Sequence, residues 1–173
     1  MADRSRHLAV VRHAKARPPT ADGDDHEREL APRGMTDALA LGRWLAGQLG
    51  GVDLVLCSSA VRAAQTWERA AEALSGRPEV RLLDELYLGD PGTVLRAVRR
   101  VDDGVRRLVV LGHEPTQSAL ALALADDGSD PDAVQELQEG YPTSAVALLE
   151  VDVPWSALRP QDARLVAFAV PRG

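Results

Sequence analysis

The chain is 173 residues long, 45% hydrophobic and 27% charged, with a formal net charge of −6. That size supports a single domain over residues 1–173 with its own core, and the acid excess argues against broad nucleic-acid binding, which wants a basic footprint. No apolar run approaches the roughly 20 residues of a membrane span, Met1 to Arg6 lead into a run too short for a signal-peptide core, so a cytoplasmic protein is expected, and Cys57, the only cysteine, rules out an internal disulfide or a cysteine-based zinc cluster.

Leu8 to Val11 reads as a short strand buried on both faces, because an apolar run of this length is bounded by polar residues. It stops in Arg12-His13-Ala14-Lys15. Ligands of open α/β sheets bind just outside the carboxyl ends of strands, where Arg12 and His13 fall. Arginine offers a planar fork suited to phosphate or carboxylate, and neutral histidine can act as nucleophile or base. Solvated charges closing a strand are the plainer alternative. Lys15 is the one lysine among 20 cationic residues.

A polar loop rich in Pro, Asp and Gly follows from Arg17 to Arg33. Met35, Leu39, Gly42, Leu45, Ala46 and Leu49 then fall on one helical stripe, with Asp37, Arg43 and Gln48 off it, and Gly50-Gly51 ends the helix. Asp53 to Cys57 is a second buried strand. Ser58-Ser59 offers N-cap hydroxyls to a helix over about Ala60 to Leu74, with Ala63, Trp67, Ala70 and Leu74 inward. Val80 to Leu82 is a short strand, and Asp84-Glu85-Leu86-Tyr87 precedes a helix over about Thr93 to Val101. Leu108 to Leu111 is the third strong buried strand. It ends in Gly112-His113-Glu114-Pro115, before helices over about Thr116 to Ala125 and Asp132 to Gln138. Ser144 to Val151 and Arg164 to Val170 read as closing strands, with Trp155 packed in their connection. Strands alternating with helices give an α/β sandwich, and the last pair adds an antiparallel edge.

The alternation is also a statement about geometry. Arg12 and His13 follow one buried strand, Arg62 sits in the first turn after the second, and His113 follows another. In a parallel sheet those ends share one side. Arg62 begins a helix, where free N–H groups and the dipole favour an anion. Two arginines and two histidines converging there describe a pocket for a phosphoryl group.

Taken together, Val11-Arg12-His13-Ala14-Lys15, Ser58-Ser59-Ala60-Val61-Arg62-Ala63-Ala64-Gln65-Thr66 and Leu111-Gly112-His113-Glu114-Pro115 resemble the histidine phosphatase superfamily, and within it the compact SixA-type phosphohistidine phosphatases. Arg28 to Gly34 resembles the family's loop before its first long helix, and the tail around Tyr141-Pro142-Thr143 resembles compact bacterial members. The resemblance implies a three-layer sandwich with a mixed, mostly parallel sheet flanked by helices, and no metal or other cofactor. It implies His13 as the nucleophile that carries a transient phosphohistidine, with Arg12, Arg62 and His113 binding the equatorial oxygens. Lys15 and Ser58 join the expected substrate-binding set, Ser58 as a helix cap that touches phosphate as well. Ala14 replaces the family's usual glycine. Glu114 stands where many relatives carry an uncharged residue; pointing away it is harmless, and facing the pocket it would favour protonation of His113 and repel phosphate.

Glu85 resembles the proton donor of phosphoester-cleaving relatives, and a solvated loop carboxylate is the alternative. Protonation matters for a leaving alkoxide and less for imidazole leaving from phosphohistidine. His7 and His26 are expected to be exposed bystanders, and Cys57 a small buried hydrophobe. The acidic run Asp126 to Asp132 lacks EF-hand spacing and is expected to be a solvated loop. About twenty residues, mostly helical, separate Tyr87 from Arg107, which leaves little for a lid, and an open pocket suits a side chain presented by a partner better than a small metabolite. The expected function is therefore metal-independent removal of phosphoryl groups from histidine on a partner protein, in signal transduction. The alternatives are a phosphomonoesterase for a small metabolite, with Glu85 as acid, and a pseudo-enzyme that holds phosphate or phosphohistidine without turnover. A nucleotide-binding fold is disfavoured, because neither G-x-G-x-x-G nor a P-loop occurs.

Overall fold

The computed structural model describes residues 5–173; the first four residues of the amino-terminal stretch weighed above lie outside them. Six strands, β1 (Arg6–Arg12), β2 (Leu54–Ser58), β3 (Glu79–Leu83), β4 (Arg107–Gly112), β5 (Val146–Val151) and β6 (Ala163–Ala169), form one sheet. Its spatial order is β3-β2-β4-β1-β5-β6. The first four strands are parallel, while β5 runs antiparallel to β1 and β6 antiparallel to β5. The expected mixed, mostly parallel sheet is present.

Strand alternation sends successive side chains to opposite faces, so apolar runs on β1, β2 and β4 feed two cores. Ala9, Val11, Val55, Cys57, Val109 and Leu111 pack under α1 (Pro32–Leu49) and α2 (Val61–Ala71), against Leu41, Leu45 and Trp67. Leu8, Val10, Leu54, Leu56, Leu108 and Val110 face α3 (Pro91–Arg99), α4 (Thr116–Leu124) and α5 (Pro131–Glu139) through Val98, Leu120, Leu124 and Leu137. Helices therefore cover both faces, as a three-layer sandwich requires. Trp155 is fully buried between β5 and β6 in sequence, its indole N–H donating to the Val105 carbonyl at 2.9 Å.

The inner face of α1 is rotated from the expected stripe. Met35 is 38% exposed, whereas Asp37 is 1% exposed beside Ala38, Leu41, Gly42 and Leu45. Two groups from the far end of the chain make that burial possible. Arg172 donates to the Asp37 carboxylate at 3.0 Å, and so does the Gly173 N–H at 3.3 Å. A buried carboxylate is tolerated when paired in this way. At Gly42 the helix meets α2 backbone to backbone; an added Cβ would lie 2.0 Å from the Ala70 carbonyl oxygen. Part of the acidic loop also has structural work: Asp130 caps α5 by accepting from the Ala133 N–H at 2.9 Å, and Asp126 accepts from the Gly128 N–H at 2.9 Å.

The topology places the site. β2, β4 and β1 are consecutive in the sheet and parallel, so Ser58, Gly112 and Arg12 end side by side, with Arg12 in register with Gly112. The chain leaves all three ends on the same edge.

Candidate active site

His13 is the first residue beyond β1, and its N–H bonds the Gly112 carbonyl at 3.0 Å, which ties it to the end of β4. The next residue is tied to α2: the Ala14 N–H donates to Thr66 Oγ1 at 3.0 Å, and that hydroxyl donates to the Arg62 carbonyl at 2.6 Å. His13 Nδ1 stands 2.7 Å from the Ala14 carbonyl oxygen. A carbonyl only accepts, so Nδ1 carries the proton and Nε2 keeps its lone pair. Arg62 Nε lies 3.4 Å from that Nε2, as a donor would. Burial, more than the cations nearby, pushes the His13 pKa down to about 3, with His113, Arg62 and Arg12 acting in the same direction. The ring is neutral at neutral pH.

Arg62, in the first turn of α2, is buried and held from three sides. Its Nη1 donates to the Asp25 carbonyl at 2.7 Å, and its Nη2 lies 3.1 Å from Asp25 Oδ2 and 3.4 Å from His113 Nδ1. Arg12 donates from Nη1 to the Tyr141 carbonyl at 2.9 Å, while its buried Nε has no hydrogen-bond partner among the described residues. A buried donor left unpaired is costly, and an anion oxygen is the acceptor such a group wants. Burial lowers the Arg12 pKa, and Glu114 opposes that shift.

His113 completes the set. Its ring centroid is 5.1 Å from that of His13, and its Nε2 meets Ser58 Oγ at 2.7 Å. Burial, then Arg62, pushes the His113 pKa down to about 4. The site therefore presents a neutral imidazole here as well.

These groups enclose a cavity of about 210 Å³. Arg12, Lys15, Arg28 and Arg62 give it four cations, His13 and His113 two imidazoles, and Glu114 its one lining carboxylate. A larger hollow of about 480 Å³, between α2 and β3 around Trp67 and Val80, has no histidine in its lining. Among the described residues no cluster of three or more His, Cys, Asp or Glu side chains is arranged to hold a metal ion.

The other expected residues sort themselves by position. Lys15 lines the cavity from an exposed position. Ser58 is buried behind His113, so its hydroxyl reaches the imidazole instead of the cavity; it also accepts from the Ala60 N–H at 3.2 Å, while the α2 N-cap residue is Ala60. Glu85 does not line the cavity; its carboxylate is paired with Arg100 at the surface. Glu114 is turned back on the start of α4, where it accepts from the Ser118 N–H at 2.8 Å and the Ser118 hydroxyl at 2.6 Å. Its field reaches Arg12. Burial pushes the Cys57 thiol up to about 12, so it stays a protonated, inert core residue.

Two residues near the site, Asp25 and Tyr87, escape a reading of the sequence. Asp25, at the start of a short 3₁₀ turn, joins Arg28 (2.8 Å), Arg62 and the Tyr87 hydroxyl (2.8 Å), and Arg28 first among these holds its carboxyl well below the usual range. Tyr87 packs edge-on against His113 at 5.7 Å and against His26 at 4.9 Å. His26 is half-buried instead of exposed, its Nε2 3.0 Å from Ser59 Oγ, and it does not line the cavity. Arg28 had a signal, because it opens the loop that carries the family resemblance. Asp25 and Tyr87, 62 residues apart, had none.

Comparison with known proteins follows the same lines. The profile of the histidine phosphatase superfamily (branch 1) matches residues 8–91. An uncharacterised protein of Mycobacterium tuberculosis strain H37Rv is 46% identical over 164 residues, covering 94% of this chain and 100% of that one. The phosphohistidine phosphatase SixA of Escherichia coli K12 is 28% identical over 145 residues, covering 83% of this chain and 84% of SixA. Among solved structures, a candidate phosphohistidine phosphatase SixA from Nakamurella multipartita superposes with a TM-score of 0.84 at 33% identity, over 96% of each chain.

Proposed function

The chain belongs to the histidine phosphatase superfamily and is a phosphatase, and from that premise we propose that it removes phosphoryl groups from histidine side chains of a partner protein. The observation that carries the reading is His13. Its Nδ1–H is committed to the Ala14 carbonyl, so Nε2 keeps its lone pair at a cavity of cations, met there by the 3.4 Å contact from Arg62 Nε.

In the first step Nε2 attacks phosphorus as the P–N bond to the substrate imidazole breaks, and the departing nitrogen takes up a proton. The phosphoryl group passes to His13. Arg12 and Arg62 donate to its equatorial oxygens, and the same groups offset the charge in the transition state. In the second step water attacks phosphorus on the side the imidazole left, Nε2 leaves, and phosphate is released. Imidazole leaves far more readily than an alkoxide, so the chemistry does not demand a carboxylic acid at the cavity. That suits a site in which Glu85 is engaged by Arg100.

Two features favour a protein substrate. Of residues 88–106, between Tyr87 and β4, nine form α3, which packs its Val94 and Val98 into the core and leaves short connections on either side for a lid. Relatives of comparable extent carry the name phosphohistidine phosphatase. Among the described residues no helix is long and apolar enough to cross a membrane, and we expect a cytoplasmic partner.

The test is a side-by-side assay on a histidine-phosphorylated protein, free phosphohistidine and a panel of phosphorylated metabolites, with chelator present. Preference for the protein is expected. Activity confined to metabolites would make the chain a phosphomonoesterase, and phosphate binding without turnover a pseudo-enzyme. Brief exposure to labelled substrate followed by alkaline denaturation should trap acid-labile phosphate on His13, and His13→Ala should abolish trapping and turnover together.

A further inference from the structure

We propose that Ser58 is a positioning residue that lets His113 turn from acceptor to donor when a phosphoryl group enters the cavity. The inference deepens the phosphatase reading and rests on it.

The ring has two nitrogens with different neighbours. Nδ1 lies 3.4 Å from Arg62 Nη2, and a guanidinium nitrogen can only donate. In the free enzyme Nδ1 is therefore the acceptor. A neutral ring then carries its proton on Nε2, which donates to Ser58 Oγ at 2.7 Å. Ser58 Oγ is buried and also takes the Ala60 N–H at 3.2 Å.

A bound phosphoryl group reverses the demand. Its oxygens accept only, so the nitrogen on the Arg62 side must now donate. Two proton states of His113 meet that need. Either the ring is neutral with its proton on Nδ1, and Nε2 must find a donor behind it; or both nitrogens are protonated, and Nε2–H must find an acceptor. A hydroxyl is the one small side-chain group that can be either without moving its heavy atom. Ser58 can rotate its O–H toward Nε2 in the first state and accept from Nε2–H in the second. The 2.7 Å contact survives both.

Other groups around His113 cannot take that part. His13 and Tyr87 meet it ring to ring, at 5.1 and 5.7 Å. Asp25, Arg12 and His26 act on it through their charge and are not bonded to it. Ser58 therefore acts through His113 and touches no substrate itself. Its place as the last residue of β2, next to β4 in the sheet, is what brings it behind that ring.

Nitrogen NMR of histidine-labelled wild-type enzyme, with and without vanadate, tests the inference without any substitution. His113 Nδ1 should change from an unprotonated to a protonated nitrogen as vanadate binds. Failure of vanadate to bind would overturn the phosphoryl-site reading and the inference with it. Binding that leaves Nδ1 unprotonated, or a free enzyme in which Nδ1 is already protonated, would overturn the inference alone. Ser58→Ala should lower kcat by about 10-fold or more, the scale of losing a well-aimed donor, with a smaller change in KM. Ser58→Thr, which keeps the hydroxyl, should restore kcat to within about threefold and restore the vanadate-dependent change at Nδ1. Wild-type kcat in Ser58→Ala, or a Nδ1 response that survives it, would overturn the proposal.

Discussion

Two imidazoles 5.1 Å apart are both kept neutral, chiefly by burial, and this has a cost in acid. In the folded chain their pKa values are about 3 and about 4, against 6.5 for an ordinary histidine. Below pH ~6.5 the unfolded chain therefore binds protons that the folded chain refuses, and stability must fall as pH falls. Each histidine contributes a slope approaching 1.4 kcal/mol per pH unit, at most about 2.7 for the pair, until its folded pKa is reached. Urea midpoints taken between about pH 6.5 and 5, above the main range of carboxylate titration, should show this slope. His13→Asn should remove roughly half of it. An unchanged slope would mean that His13 is charged in the fold. Glu85 makes a second test at this scale. Its half-exposed pair with Arg100 is worth little, and it stands off the cavity, so Glu85→Gln should leave kcat within about threefold on phosphohistidine and phosphoester alike. A loss confined to phosphoesters would restore it as the acid.

The elements that carry the site were legible because their signal is local. β1, β2 and β4 are runs of apolar residues that end in polar ones, and period-two burial on both faces follows from those residues alone. The face of α1 was not legible in the same way. Asp37 looks like a solvent residue until Arg172 and Gly173 return from the far end of the chain to pair with it. Asp25, Tyr87 and the seat of Ser58 behind His113 are likewise contacts between distant segments, invisible to any window of neighbouring residues. The α1–α2 crossing can be tested through glycine. At Gly42 a methyl would sit 2.0 Å from the Ala70 carbonyl oxygen, whereas Gly47 in the same helix has nothing within 4 Å of that point. Gly42→Ala should destabilise by about 1–3 kcal/mol, as overpacking does. It should also lower activity, since α2 carries Arg62. Gly47→Ala should stabilise by roughly 0.5–1 kcal/mol through helix propensity. Equal effects of the two on thermal unfolding would show that the helices do not meet where Gly42 sits.

Across the whole molecule the charge is divided against itself. The chain carries a formal net charge of −6, yet its cavity is lined by Arg12, Lys15, Arg28 and Arg62, with Glu114 the one lining carboxylate and Asp25 paired with Arg28 and Arg62 beside it. An approaching phosphoryl group therefore meets general repulsion at a distance and attraction only near the site. The two act over different ranges, because exposed charges are screened beyond roughly 8–10 Å at physiological ionic strength while buried pairs are screened far less. Lys15 is exposed at the rim, and Arg28 is partly exposed there. Arg62 and His13 are buried, at 6% and 8% exposure. Salt should accordingly weaken capture and spare the chemical step. Raising ionic strength from about 0.05 to about 0.5 M should raise KM several-fold and change kcat by less than about twofold. Lys15→Gln should raise KM at low salt and flatten the salt dependence while leaving kcat nearly intact, because its charge acts at the mouth and not on the phosphorus. A parallel fall of kcat with salt would instead place the salt-sensitive charges in contact with the reacting group, and Lys15 would then belong with Arg12 and Arg62 in holding it.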